Sequence, residues 1–583
     1  MRALLERRKT RFTSLILLIL FLSLCFATLT PKAQTGEITG RVVTEDGKAL
    51  PNAEIYLIPS AGNVRQLSRD SQYRTFTNED GYFKFTRLAP IRYSIIVNDV
   101  KGYVRKPIPI AEGQGLIYHY AGDDVTITMI KGGAITGRVT NVAGEPLIGA
   151  HVTAVMVRDA EGMRSPGGGW QRATDDQGVY RIYGLTPGTY IVFTRNDVSA
   201  PYSTSGDVDV PTYHPSSTRD TAAEVAVLSG GEAGGIDIRH RGERGHVISG
   251  VVSGAAGAET APEVLVTLYE LPAGTVAASS FIQAGGARGF AFRGQPDGEY
   301  LITARTNNEE SNQGSPPRRV TLRGGDITGL ELKLLLLGSI SGRIVVDSLP
   351  EGCGEKRKLR MEEFGVIATR DDSPRNVPVF MPWRSFSLPG ANEKGEFTIN
   401  SIDPGHYRIR IPLTDENLYV KGITSPATAP PRRGAPGAAN NVSLNGLALK
   451  QGEKLSGVTV TVAEGAASLR GKVVAEKEGQ RLPDRLRAHL VPTGPNATDE
   501  VLRYAESIVS SDSGFTFTNI APGKYRLITR VTPNDDPVNR PATPTAWDAS
   551  ERAKLRHEAM SAKYEIELQP CGRVKDYVLQ FSH

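Results

Sequence analysis

The stretch Asp175–Tyr190, DDQGVYRIYGLTPGTY, sets two adjacent carboxylates, a glycine turn, three tyrosines and a Pro-Gly close together. Paired carboxylates could ligate calcium, and phenol rings could stack on sugars. Calcium takes roughly six to eight oxygen ligands. The acidic turns of this chain, at Asp80, Asp175–Asp176, Glu393 and Asp512, offer one or two carboxylates each, and a fifth such turn carries Arg288 instead. The reading they favour is turn chemistry: Asp, Asn or Ser beside Gly closes a hairpin, because glycine reaches positive φ without a steric penalty. The nine histidines do not cluster, and His119, His214, His240 and His246 share no metal-ligand spacing. HEAMS (His557–Ser561) has the first half of a zinc-protease motif and lacks the second histidine. GSISG (Gly338–Gly342) has Ile340 where a nucleophile elbow needs serine, and GAASLRGK, ending at Lys472, is one residue too long for a phosphate loop. The sequence therefore assigns no catalytic, cofactor-binding or metal-binding residue.

Aromatic side chains are the remaining candidates. Trp170 follows three glycines in SPGGGWQR, and Trp383, Tyr118 with Tyr120, and Tyr202 with Tyr213 lie in loops. Trp170, Tyr202 and Tyr213 are the ligand-contact candidates, as exposed rings with polar neighbours. Packing between strands is the competing reading for each.

These residues sit in a repeated frame. Openings of one form recur as ITGRV (Ile38–Val42), ITGRV (Ile135–Val139), ISGVV (Ile248–Val252), ISGRI (Ile340–Ile344) and LRGKV (Leu469–Val473). Each is followed by a closing hairpin such as DGYFKFTRLAPIRY or KGEFTINSIDPGHY. Phe85, Ile182, Phe292, Ile399 and Phe517 are each followed eight residues later by a tyrosine: Tyr93, Tyr190, Tyr300, Tyr407 and Tyr525. The openings recur at intervals of 92 to 129 residues, a domain-sized spacing that marks tandem units. YFKF, EFTI and FTFT alternate apolar and polar, as half-buried strands do. Short strands with frequent turn signals predict antiparallel sandwiches.

Leu-x-Pro-Gly-x-Tyr resembles a tyrosine corner, whose hydroxyl bonds to backbone a few residues upstream. Tyr190, Tyr407 and Tyr525 are its expected members. Ile91 replaces the glycine in the first unit and Pro296 is shifted in the third, so looser or different corners are expected at Tyr93 and Tyr300. Thr545–Tyr564 is predicted to form a helix, with Asp548, Ser550 and Glu551 near its start, covering a sheet edge.

Glycine (62) and proline (37) are rich enough for many turns without reaching the disordered range. Arg2, Arg7, Arg8, Lys9 and Arg11 precede the short apolar run Ser14–Leu29, which reads as a signal peptide over residues 1–33. Cleavage after Ala27 or Ala33 fits. Residues 1–33 hold six Lys or Arg and one Glu, a net +5 that equals the +5 of the whole chain. The remainder is neutral, so no nucleic-acid surface is implied and no membrane span remains after cleavage. Cys353 and Cys571 are the cysteines beyond that leader. Export permits a disulfide, but nothing in the sequence brings them together, and two buried free thiols is the simpler expectation.

With the motif ITGRV…G.PL.GA.V…T.DQG.Y.I.GL.PG.Y on view, the chain resembles the carboxypeptidase regulatory-like domain, a prealbumin-like and carbohydrate-binding-like sandwich, repeated in tandem. The second unit fits best and the third least. The resemblance implies a secreted or envelope module for adhesion, scaffolding or glycan contact, beside a peptidase or outer-membrane transporter in some relatives. It implies no cofactor.

The expected architecture is all-β: five tandem Ig-like or prealbumin-like antiparallel sandwiches over residues 34–131, 132–243, 244–335, 336–465 and 466–583, the last with a helix at about 545–563. The expected function is non-enzymatic binding or adhesion in the periplasm, at the outer membrane or outside the cell, with a glycan or envelope protein as partner. A structural spacer, or an accessory to a peptidase or transport system, is the alternative.

Overall fold

The computed structural model describes residues 36–59, 73–89, 91–98, 100–107, 118–160, 169–195, 209–254, 262–271, 275–306, 312–349, 353, 359–371, 390–413, 415–426, 440–476, 481–483, 486–494, 497, 499–510, 512–531 and 544–581. The signal-peptide segment, Tyr202 and Trp383 lie outside them. No helix among the described residues is long and apolar enough to cross a membrane.

Strands dominate, and they form many antiparallel sheets. Five large hydrophobic clusters each draw on one stretch of chain, from Ile38 to Met129, Ile135 to Ile238, Ile248 to Leu334, Ile340 to Val462 and Ala467 to Phe581. Burial of each such aliphatic or aromatic side chain stabilises by about 1.5–3 kcal/mol.

The second stretch shows the plan. Its opening strand Gly133–Thr140 pairs antiparallel with the closing strand Val179–Leu185 and parallel with the short strands Glu232–Ala233 and Ile238–Arg239. The facing sheet runs Gly169–Ala173, His151–Asp159, Gly188–Arg195 and onward. One parallel ladder recurs in every stretch, as between Gly36–Thr44 and Asp124–Lys131 or between Ala467–Ala475 and Arg573–Phe581.

That ladder explains the glycine of the repeated opening. A Cβ on Gly40, Gly137, Gly250, Gly342 or Gly471 would lie 2.0–2.3 Å from a carbonyl oxygen, that of Val125, Ile236, Leu330, Val458 or Tyr577 respectively. No side chain fits a carbonyl that close, so each unit carries glycine there.

The corner is uniform. The hydroxyls of Tyr93, Tyr190, Tyr300, Tyr407 and Tyr525 donate to the carbonyls of Ala89, Thr186, Pro296, Asp403 and Ala521 at 3.0, 2.6, 2.7, 2.8 and 2.6 Å. All five rings are buried. The looser corners expected at Tyr93 and Tyr300 are thus corrected: the acceptor is a backbone carbonyl four residues upstream, which every residue type supplies. The residue just before each corner, at Arg87, Gly184, Gly294, Ser401 and Asn519, has φ between 57° and 72°. Only two of the five are glycine.

Cys353 and Cys571 are paired, with Cα atoms 5.4 Å apart across 218 residues of sequence. This corrects the expectation of free thiols. The bond closes the junction of the fourth and fifth stretches, where the Cys571 N–H also donates to the Gly465 carbonyl at 3.1 Å. Other polar contacts join neighbours: Arg305 reaches the Ser401 carbonyl and the Asp403 carboxylate, and Asn519 donates to the carbonyls of Asp415 and Leu418. The Tyr120 hydroxyl of the first stretch donates to the Glu363 carbonyl of the fourth at 2.8 Å.

The helix near the C-terminus spans Ala549–Ser561, capped by the Asp548 carboxylate, which accepts from the N–H groups of Ser550 and Glu551. Leu555 and Ala559 pack on Val491, with Ile528 beside them. Those two strand residues point away from the core cluster that holds Leu490 and Leu527. The helix therefore covers the outer face of a sheet, whereas an edge was expected. A second, one-turn helix spans Val442–Asn445.

Candidate functional site

The three tyrosines of Asp175–Tyr190 have three fates, set by strand alternation. Tyr180 is buried, and its hydroxyl donates to the Ile236 carbonyl at 2.5 Å. Tyr190 is the corner. Tyr183, on the opposite face of the closing strand, is 52% exposed.

The acidic turn is occupied by its own backbone. Asp175 Oδ1 accepts from the N–H groups of Gln177 at 2.9 Å and Val179 at 2.8 Å. Asn78 and Asn392 play the same part in their turns. A carboxylate and a neutral amide fill the same place, each with an oxygen that already accepts two backbone N–H groups, as turn chemistry requires. Among the described residues no group of three or more His, Cys, Asp or Glu side chains could hold a metal ion.

The aromatic candidates are dispersed. Trp170 is half-buried and meets the Tyr190 ring edge-on, centroids 5.9 Å apart, beside the second core. Tyr213 is buried against Phe193, with ring centroids 5.0 Å apart. Burial is the main cause raising its pKa to about 12, and Glu270 of the third stretch adds to it. Arg219, also near Tyr213, donates to Glu270 at 2.9 Å, so this region joins the second stretch to the third. Tyr118 and Tyr120 are buried as well. Tyr202 lies outside the described residues, and Trp170 and Tyr213 pack against different rings.

The structure instead isolates Tyr183. The Arg172 guanidinium, from the facing sheet, lies 4.8 Å from the Tyr183 ring centroid, and that of Arg181, two residues along the same strand, lies at 5.9 Å. Both distances suit cation–π contact. Arg181 is held by Glu232, with Nη2 to Oε2 at 3.0 Å. Their mutual hydrogen bond lowers the Glu232 pKa and raises that of Arg181. The sequence carried a signal for this site. In VYRIYGL the residues at 179, 181 and 183 share one face and those at 180 and 182 the other, so Tyr183 is the tyrosine left outside.

Other polar clusters serve structure. The His240 ring meets Thr212 and Asp209, both at 3.1 Å. His489 is buried 3.7 Å from Glu506 beneath the C-terminal helix, and burial lowers its pKa to about 4. The cavity beside it, about 20 Å³ and lined by His489, Tyr504, Glu506 and Thr545, is the size of one water.

Residues 37–118 match the carboxypeptidase regulatory-like domain. The match falls on the first sandwich, between Glu37 in the opening strand and Tyr118 beyond the corner. A carboxypeptidase regulatory-like domain is thus present at the head of a tandem β-sandwich chain. No curated protein matches the chain. Among solved structures, the Bacillus anthracis TIE protein is 14% identical over 51% of this chain and 51% of its own, with a TM-score of 0.13. The minor pilin GBS52 of Streptococcus agalactiae is 13% identical over 35% of this chain and 96% of its own, at 0.19. Two B repeat units of the collagen-binding protein of Staphylococcus aureus are 13% identical over 74% and 100%, at 0.13.

Proposed function

We propose that the chain is an exported, non-enzymatic array of five β-sandwich domains that binds a glycan or an envelope protein through side chains on its outer surfaces. The domains are residues 34–131, 132–243, 244–335, 336–465 and 466–583, after a cleaved leader. What carries the reading is how the repeated chemistry is spent. The corner tyrosines bond to backbone carbonyls, and the turn carboxylate of Asp175 accepts backbone N–H groups. Among the described residues no reacting constellation is left over, while exposed rings such as Tyr183 and Phe76 remain on outer faces. The test is a glycan array and an envelope pull-down with the purified exported protein. Specific, saturable retention is expected, and its absence from both would leave no binder.

The joints favour a second reading, a stiff spacer. Linkers are short, as at Gly132 between the strands Asp124–Lys131 and Gly133–Thr140. Arg305, Asn519 and the Cys353–Cys571 bond tie neighbours together. A spacer would retain nothing in the same assays and would hold one end-to-end distance in solution scattering.

A further inference from the structure

We propose that the Tyr183 side of the second sandwich is a binding platform for an anionic saccharide, a polysaccharide bearing carboxylate or sulfate groups. The inference rests on the binding reading above and gives it a site.

The platform is assembled from both sheets. Tyr183 comes from the closing strand Val179–Leu185, and Arg172 from the edge strand Gly169–Ala173 of the facing sheet. Four observations set it apart. The ring is 52% exposed. Its hydroxyl has no hydrogen-bond partner among the described residues. The Arg172 guanidinium, at 4.8 Å from the ring centroid, makes one hydrogen bond, from Nη1 to the Gln171 carbonyl at 2.8 Å, and pairs with no carboxylate among the described residues. Arg181, by contrast, is already engaged by Glu232.

The site therefore presents a planar ring, a phenol hydroxyl and a guanidinium that commits one of its five N–H donors among the described residues. The C–H face of a sugar stacks on such a ring. A carboxylate or sulfate accepts two parallel N–H groups from an arginine fork. The Arg181–Glu232 pair offers donors and acceptors to ring hydroxyls alongside. The matching positions in the other units are Thr86, Arg293, Asn400 and Thr518. None is aromatic, so the platform belongs to the second sandwich alone. Beyond residue 33 the chain is neutral, so specific retention by an acidic polymer would not follow from overall charge.

The experiment passes the full exported chain over immobilised alginate, dextran sulfate and uncharged dextran at physiological salt. Retention on alginate or dextran sulfate and not on dextran is expected, and the stronger of the two identifies the anionic group. Tyr183→Ala and Arg172→Ala should each weaken it on the order of tenfold, the scale of one charge-assisted contact. Arg172→Lys, which keeps the charge and loses the fork, should also weaken it. Tyr82→Ala, which removes an exposed ring beside Arg41 on the first sandwich, should leave it unchanged. These side chains are exposed, and unchanged melting of each variant would confirm an intact fold. Retention on an acidic polymer that survives both Tyr183→Ala and Arg172→Ala overturns the site and leaves the binding reading standing. So does binding confined to a neutral glycan. Loss on Tyr82→Ala equal to that on Tyr183→Ala also overturns it, as does full retention of Arg172→Lys. Absence of retention on every polymer overturns the site, and the glycan array and pull-down then decide the broader reading separately.

Discussion

Replacing Tyr93 or Tyr300 by phenylalanine should destabilise its sandwich as much as Tyr190→Phe does, although their local sequences differ. Each change keeps the buried ring and deletes one hydroxyl. In each case the hydroxyl donates to the carbonyl four residues upstream, at 3.0 Å in Tyr93, 2.7 Å in Tyr300 and 2.6 Å in Tyr190. Loss of such a bond, with its acceptor left without that donor, costs about 1–3 kcal/mol. At about 2 kcal/mol, the population of the open unit rises roughly thirtyfold. Native-state hydrogen exchange reads this unit by unit, which suits a chain of several domains better than one melting curve. The informative peptides are the strands Gly188–Arg195 and Gly298–Thr306, each paired on both sides, and Tyr93–Asn98, paired with Glu54–Pro59 and bridged to His119 at Tyr93. Tyr183→Phe is the control, since its hydroxyl has no partner among the described residues, and it should stay within about 0.5 kcal/mol of the parent. If Tyr190→Phe accelerates exchange while Tyr93→Phe and Tyr300→Phe behave like Tyr183→Phe, the uniform corner is wrong.

Gly137→Ala should unfold or strongly weaken the second sandwich, by about 1–3 kcal/mol or more, because its Cβ would sit 2.1 Å from the Ile236 carbonyl oxygen; urea denaturation followed by exchange of residues 133–140 reads it. Arg87→Gly should stabilise the first sandwich by about 0.5–1 kcal/mol, since Arg87 holds φ at 59°, a conformation glycine adopts freely; thermal unfolding checks this. His489 has its folded pKa depressed to about 4 from 6.5 by burial, so a buried neutral ring must take up a proton as the fold opens in acid. The fifth sandwich should therefore be at full stability above pH 6.5 and lose on the order of 3 kcal/mol as pH falls through 4, and His489→Gln should flatten that slope in acid titrations. Burial holds the phenols of Tyr93, Tyr180, Tyr190 and Tyr300 well above the ordinary phenol value of about 10. Their contribution is complete below that pH and is lost as pH climbs through the raised values, so a late tyrosinate absorbance step should accompany alkaline unfolding.

The opening strands, the hairpin turns and the C-terminal helix are legible in the sequence because they are local. Two-residue alternation, a glycine after Asp or Ser, and Asp548 ahead of a helical run each state their structure within a few residues. The buried placement of the eight-residue tyrosines is legible for the same reason. What escapes is long-range or chemically generic. The Tyr93 and Tyr300 corners look irregular because Pro and Gly vary around them, yet the bond needs only a carbonyl. The pairing of Cys353 with Cys571 spans 218 residues and depends on the joint between two sandwiches. Tyr213 reads as an exposed loop ring and is buried, near Glu270 of the third stretch. Tyr183 was within reach, since the alternation that buries Tyr180 exposes it.

A fold whose specificity resides in backbone groups leaves its outer side chains unconstrained. The corner hydroxyl, the turn acceptor and the opening glycine all answer to carbonyls and N–H groups, which do not change when the sequence does. Positions 86, 183, 293, 400 and 518, all at the register shift of the opening ladder, can then hold Thr, Tyr, Arg, Asn and Thr. Tandem units can thus share one architecture while the second carries an aromatic ring and an arginine fork there. On this account the first and fifth sandwiches should accept the second unit's surface residues without loss of stability. Transfer of Tyr to Thr86 would supply the ring alone, because the position that matches Arg172 is Thr75 in the first unit. A ring so transplanted should add no retention on acidic polymers, which separates the pair of residues from the ring as the source of binding.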